Sequence, residues 1–343
     1  MLAPAVKRNL FRIVPFGLIW MIFGLLYTLV ERAILGDLTY YPSTGNPYNF
    51  SSNLVLTPLL SLVIGMLAGA TEVLYFSKRF KEKGLVWKIA FKTLIYVFIM
   101  FFFLCVTSII SNSIELQKGL FSEEVLSNLW IFILSPAFWI LELYVGFIMI
   151  IALFFAEVSD NLGQQVLANF LTGKYHAPQE EQRIFMFLDM KSSTTIAEKL
   201  GHVQYFKMLK AYYEDLSASI IQYEGQIYQY VGDEVVITWN LKSPENSVHC
   251  FFQMKEILKE QAASYQSRYQ VVPSFKAGLH VGKVTTGELG VIKKDIAFSG
   301  DVLNTAARIQ SLCNQYHVDL LISGDLLQRL KLPAGYEIQD LGS

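Results

Sequence analysis

Histidine is absent from the first half of this 343-residue chain: His176, His202, His249, His280 and His317 all lie beyond residue 175. That half consists of long apolar runs, so its lack of histidine argues against a membrane-embedded haem held by paired imidazoles. No lysine falls in the middle of those runs, which argues equally against a retinal Schiff base. Cysteine is scarce. Cys105, Cys250 and Cys313 have neither metal-ligand spacing nor the density of a disulfide framework, and read as apolar-run and core residues. A basic excess is also lacking; the formal net charge is −1, so no nucleic-acid partner is expected. The first apolar stretch is too long for a cleavable export signal and lacks a small-residue cleavage site.

What is present divides sharply. Phe11–Val30, Leu54–Phe76, Ile89–Ile110 and Leu129–Phe155 are each long enough to cross a hydrocarbon core, which takes about 20 apolar residues. Pro136 interrupts the last and is expected to kink it within a bundle. Lys7, Arg8 and Arg12 precede the first span, and Lys78, Arg79, Lys81, Lys83 and Lys88 crowd the segment between the second and third. The other two connections are poor in Lys and Arg. The positive-inside rule therefore puts both chain ends in the cytoplasm and makes this a multi-pass protein of the cell membrane. Glu72 and Glu142 lie within or near the ends of spans, where an ionisable group is expensive. Each is either functional or simply neutralised or paired inside the bundle. Four spans without a polar pathway make a poor transporter.

From Ala156 onward, Val158, Leu162, Val166, Leu167 and Phe170 recur at helical spacing. They predict a short amphipathic helix leaving the bilayer, stopped by Gly173 and followed by a turn at Pro178. Such a helix is a linker, and between a membrane bundle and an enzyme it is also the place to couple them. The expected organisation is a transmembrane domain over 1–155, a linker or transducer helix over 156–182 and a further domain over 183–343.

The last segment reads strand, helix, hairpin, helix, strand pair, helix, strand, helix, strand. Ile184–Met190 is an apolar strand ending in Asp189-Met190, and Lys191, Ser192, Ser193 and Thr194 open a helix whose backbone N–H groups suit a phosphate. Alone, Asp189 reads as a helix cap. The run IYQYVGDEVVITW (227–239) is a hairpin tipped by Gly232-Asp233. Asn304 and Arg308, four residues apart, share one helix face, which alone reads as a solvated surface. Together, two acids converging from a strand end and a hairpin tip suit divalent cations with substrate phosphates. An amide and a guanidinium downstream suit a sugar and a phosphoryl group.

In this combination and order, FLDMKSST, YVGDEVV, GLHVGKVTTGELG and SGDVLNTAAR resemble the class III nucleotidyl cyclases, the adenylate and guanylate cyclase catalytic domain. The resemblance covers about Arg183 to Gly342. It implies an α+β domain with a ferredoxin-like βαββαβ core, here carried behind an all-α bundle of four transmembrane helices. It implies Asp189 and Asp233, with the Met190 carbonyl, as ligands of two Mg²⁺ or Mn²⁺ per site. Asn304 would orient the ribose, Arg308 would stabilise the transition state, and residues 191–194 would meet the phosphates. The family's site lies between protomers, and this chain carries both halves, so a homodimer acting on a nucleoside triphosphate is implied.

Gln229 stands where the family selects the base with Lys for adenine or Glu for guanine. Ala297 stands at the partner position, often Asp or Thr. A glutamine amide can match adenine or, flipped, guanine; ATP is the expected substrate, with GTP or a silent nucleotide sensor as alternatives. The chain ends at Asp340-Leu341-Gly342-Ser343, before the point where the family has a strand with a triphosphate-binding lysine. The Gly232–Val235 run also resembles the diguanylate cyclase loop. Val231 and Val235 replace that loop's glycine and phenylalanine, and the Asn304/Arg308 helix fits only the class III pattern.

Overall fold

The structure is a computed structural model that describes residues 3–37, 39–40, 47–80, 83–292, 294–333 and 335–342. It falls into two compact units, one spanning residues 7–168 and one built on residues 169–343.

In the first unit, four helices are long and apolar enough to cross a membrane. α1 (Pro4–Leu35) is followed by α2 (Phe50–Thr71), which starts where the Asn49 side chain accepts from the Ser52 N–H. α2 runs on through a π-helical turn, Glu72–Phe76. α1 and α2 meet closely because glycines line the seam: a Cβ on Gly65 would stand 2.7 Å from the Phe16 carbonyl oxygen, and one on Gly69 would stand 2.9 Å from the Phe16 Cβ. α3 (Leu85–Leu116), α4 (Glu123–Leu134) and α5 (Pro136–Leu162) complete the unit. Its core gathers Phe16 and Trp20 of α1, Tyr96 of α3, and Val145, Met149 and Leu153 of α5. Val55, Leu67, Phe98 and Leu143 lie on its exposed faces.

The fourth expected span is corrected. Residues 129–155 do not form one kinked helix. Proline forces its predecessor into extended backbone; Ser135 has φ −75° and ψ 145°, its side chain caps the Phe138 N–H, and Pro136 opens a new helix. Leu129–Leu134 thus belongs to the separate α4, and the apolar crossing is Pro136–Leu162.

The two acids of these apolar segments have different fates. Glu72, on the π turn, is buried and ion-paired with Lys92 at 2.5 Å, with the Tyr96 hydroxyl 3.4 Å from its second oxygen. Lys92 also meets Glu157 of α5 at 3.2 Å, and Lys88 meets the same carboxylate at 3.3 Å. Arg12 pairs with Asp160. The N-terminal part of α1, the turn that ends α2 and the N-terminal part of α3 are thereby tied to the end of α5. Glu142 is also buried, and neither of its oxygens has a hydrogen-bond partner among the described residues.

The expected linker helix is divided. α5 continues through Leu162 and breaks at Gly163, where φ is +88°, a value glycine adopts without strain. α6 (Gln164–Thr172) follows and ends at Gly173, φ +66°.

The second unit is a mixed six-stranded sheet. β1 (Gln179–Met190) lies between β3 (Glu234–Asn240) and β4 (Phe275–Leu289). β2 (Gln226–Val231) pairs with β3, and β5 (Asp295–Ser299) with the far end of β4. These pairings are antiparallel, in the order β2-β3-β1-β4-β5, while the short β6 (Leu320–Ile322) joins β4 in parallel. The β1-helix-β2-β3-helix-β4 succession is the expected ferredoxin-like core.

β1 is apolar on both sides because both faces are covered. Ile184, Met186 and Leu188 share a core with α8 (His202–Gln222), α9 (Glu245–Glu260) and α10 (Ala262–Tyr269). Phe185 and Phe187 pack with Val236, Val284 and residues Val302 and Ala306 of the opposite helix. β1 begins five residues before Ile184, since polar residues 179–183 pair with 286–282 of β4; their polarity hid the strand. The expected last strand is a correction: past β6 and the short helix α12 (Gly324–Leu327), no strand forms among the described residues.

Candidate active site

Three strand ends build the site. β1 delivers Asp189 opposite Glu234 of β3 and Lys276 of β4. The β2–β3 hairpin turns through Gly232, whose φ of +64° suits glycine, and lifts Asp233 beside Asp189. The Tyr213 hydroxyl, on α8, donates to the Gly232 carbonyl at 3.1 Å and so props the tip. Burial and the neighbouring Asp233 charge hold that hydroxyl protonated, well above its usual value.

Burial, then the Asp233 charge, push the Asp189 carboxyl above the usual range, against the pull of Lys276. Glu234 is raised too, by burial and by both aspartates. Lys276 Nζ stands 3.5 Å from Asp189 Oδ2, and Gln310 Nε2 donates to the same oxygen at 3.1 Å. Sequence reasoning missed Lys276, Gln310 and Tyr213. Lys276 was legible only through register, since nothing in FKAGLH says which strand faces it.

Asp189, Met190 and residues 191–194 line one cleft of about 500 Å³ with Lys276, Cys313, Asn314, His317 and Val318. Ser192 takes φ +55°, which turns the chain into α7 (Ser193–Leu200) and presents the helix start to the cleft. Lys191 is held by Asp319, which Lys255 also reaches at 2.6 Å. The cleft is therefore bordered by cations and backbone N–H groups as well as Asp189, with Asp233 beside that carboxylate but outside the cleft lining.

Asn304 and Arg308 lie elsewhere. They sit on α11 (Asp301–Leu312), which presses against β4 where glycine permits: a Cβ on Gly278 would fall 2.2 Å from the Gln310 N, and one on Gly282 would fall 2.9 Å from the Val302 Cβ. That packing buries Val302, Ala306 and Gln310 and leaves Asn304 and Arg308 exposed together. Neither lines the Asp189 cleft, nor do Gln229 and Ala297. Gln229 is exposed on β2, directly after a bulge at Tyr228, and Ala297 is half-buried on β5.

Residues 175–343 match the family model described as the adenylate and guanylate cyclase catalytic domain. This half of the chain belongs to the class III nucleotidyl cyclase family. The chain is 36% identical over 193 residues to adenylate cyclase 2 of Rhizobium meliloti (strain 1021), a match covering 55% of this chain and 53% of that protein. It is 24% identical over 168 residues to an adenylate cyclase of Anabaena cylindrica, covering 48% and 34%. The chain thus spans about half or less of the length of these curated relatives. A bacterial light-regulated adenylyl cyclase structure aligns with a TM-score of 0.52 at 18% identity, covering 58% of this chain and 61% of that one. This last likeness shows the cyclase fold.

The residues present fit divalent cations. Asp189 and Asp233 are adjacent carboxylates that repel each other, and the donors are hard oxygens, suited to Mg²⁺ or Mn²⁺. Cys313 Sγ is committed to the Ala277 carbonyl at 3.3 Å. Among the described residues no group of three His, Cys, Asp or Glu forms a complete cage, so the protein side chains would supply two ligands and the triphosphate the remainder.

Proposed function

We propose that this chain is a membrane-anchored adenylate cyclase, converting ATP to 3′,5′-cyclic AMP and pyrophosphate at a site shared by two copies. One observation carries the reading. Asp189 lines a cleft that neither Asn304 nor Arg308 of the same domain lines, so each group is an incomplete site with complementary chemistry. Residues 1–155 would anchor the protein, 156–182 transmit, and 183–343 catalyse from the cytoplasmic side, as the Lys- and Arg-rich ends of the spans favour.

Asp189 and Asp233, with the Met190 carbonyl, would hold two divalent cations, which lower the pKa of the attacking ribose hydroxyl and neutralise the triphosphate. The N–H groups of residues 191–194 and the Lys276 ammonium meet the phosphates at the mouth of the cleft. Asn304 of the other copy orients the ribose so that its 3′-oxygen lies in line with the α-phosphorus. Arg308 donates to the oxygens where negative charge builds as pyrophosphate leaves. Gln229 and Ala297 face the base, and the glutamine amide donates to adenine N1 while accepting from N6.

The test is turnover of ATP and GTP, side by side, by the purified full chain with Mg²⁺ or Mn²⁺. Cyclic AMP as the major product supports the reading. Cyclic GMP as the major product reverses the base assignment, and pyrophosphate release from neither nucleotide makes the chain a silent binder.

A further inference from the structure

One buried guanidinium holds the whole strand array behind the base-facing positions. Arg183, on the central strand β1, is only 5% exposed. Its Nε donates to Thr238 of β3 at 3.0 Å and its Nη2 to Gln226 of β2 at 2.6 Å. Its Nη1 reaches Glu181 at 3.3 Å, and Glu181 in turn accepts from Thr286 of β4 at 2.6 Å. The guanidinium plane lies over the Phe298 ring of β5, 5.0 Å from its centroid. All five strands of the main order are thus joined through one side chain.

Both base-facing residues adjoin these contacts. Gln229 follows the bulged Tyr228 and stands three residues after the Arg183-bound Gln226; Ala297 immediately precedes Phe298. The Tyr228 and Phe298 rings meet edge to face at 5.0 Å, so β2 and β5, the two ends of the strand order, touch across the sheet face. A residue needed only for sheet stability could be replaced by packed hydrophobics, since a buried charge confers little net stability. A five-donor planar fork instead fixes angles between several partners at once.

The geometry points to Arg183 as a positioning residue for nucleobase selection, acting through Gln226 on Gln229 and through Phe298 on Ala297. This rests on the cyclase reading and adds to it a determinant of base choice that does not itself touch the base. Arg183→Met should loosen the separation of Gln229 and Ala297, so discrimination suffers before chemistry does. Arg183→Lys keeps the charge without the fork and should rescue discrimination only in part. Phe298→Leu removes the ring under the guanidinium and the edge contact with Tyr228.

The test is kcat and KM for ATP and for GTP with the full chain and each variant. In Arg183→Met, the ratio of the two kcat/KM values should change at least fivefold, carried by KM of the preferred nucleotide, whose kcat falls less than threefold. Phe298→Leu should move the ratio in the same direction. Equal loss of kcat on both nucleotides with an unchanged ratio would make Arg183 merely structural and overturn the inference. If Arg183→Met does not fold, Phe298→Leu decides alone, and a ratio within twofold of wild type overturns it. If the wild-type chain turns over neither nucleotide, the cyclase reading fails. The inference then stands or falls on whether Phe298→Leu changes the relative affinity for fluorescent ATP and GTP analogues at least fivefold.

Discussion

At the scale of the residue, the Asp189 carboxylate is held against its own preference. It is half-buried beside Asp233, and both raise its pKa. Between the unfolded value and the raised folded one, the folded protein binds more protons, so stability contributed by this group falls as pH rises through that window. Asp189→Asn should therefore raise the melting temperature of the metal-free protein at neutral pH, and the gain should shrink as pH is lowered through the folded value. Activity should fall at least roughly a hundredfold. A cation needs the ionised pair, so its half-saturating concentration should rise on acidification and its binding should release protons. Melts in chelator in which Asp189→Asn is the less stable protein contradict this account.

Lys276 makes a second residue-scale prediction. It stands at the cleft, 12% exposed at its side chain and ion-paired with Asp189. Lys276→Ala should weaken nucleotide and pyrophosphate binding by about 10- to 100-fold, the worth of one charged hydrogen bond in a partly enclosed site. Product inhibition by pyrophosphate measures it, and an unchanged inhibition constant removes Lys276 from the phosphate path. The placement of Asp189 at a strand end, Asp233 at a hairpin tip and Asn304 and Arg308 on one helix face was legible in the sequence from turn and helix spacing, whereas their proposed roles come from the resemblance. Lys276, Gln310 and Tyr213 were not legible, because their importance comes from register and packing between segments 19 to 121 residues apart, from Tyr213 against Gly232 to Gln310 against Asp189.

At the scale of the element, apolar length made the spans readable, but what ends them did not follow from length. Ser135-Pro136 starts a helix rather than kinking one, and Gly163 divides what periodicity made continuous. β1 reached further than its apolar segment because pairing with β4, rather than burial, holds residues 179–183. The Lys92 network was hidden for a related reason: whether Glu72 is paired depends on which helix α2 meets. Replacing Lys92 by Met would leave the buried Glu72 without its cation, with Lys88 still on the half-buried Glu157, at a cost of about 3–5 kcal/mol. Lys92→Met should lose monodisperse protein at a lower temperature than wild type, and adding Glu72→Gln should recover part of the loss. Wild-type heat resistance in Lys92→Met would mean that this ion cluster does not hold the helices together.

At the scale of the whole molecule, the central claim is that each copy carries two half-sites and neither is sufficient. Neither Asn304 nor Arg308 lines the Asp189 cleft of its own domain, and in the proposed reading a second copy brings them to it. The most direct measurement is complementation between Asp233→Ala and Arg308→Ala, each expected to be inactive alone. Co-expressed at equal levels, they should recover roughly a quarter of wild-type activity, because half of randomly assorted dimers are mixed and each mixed dimer keeps one intact site of two. No recovery, in a preparation where mixed dimers are shown by differential tags to have formed, contradicts the shared site.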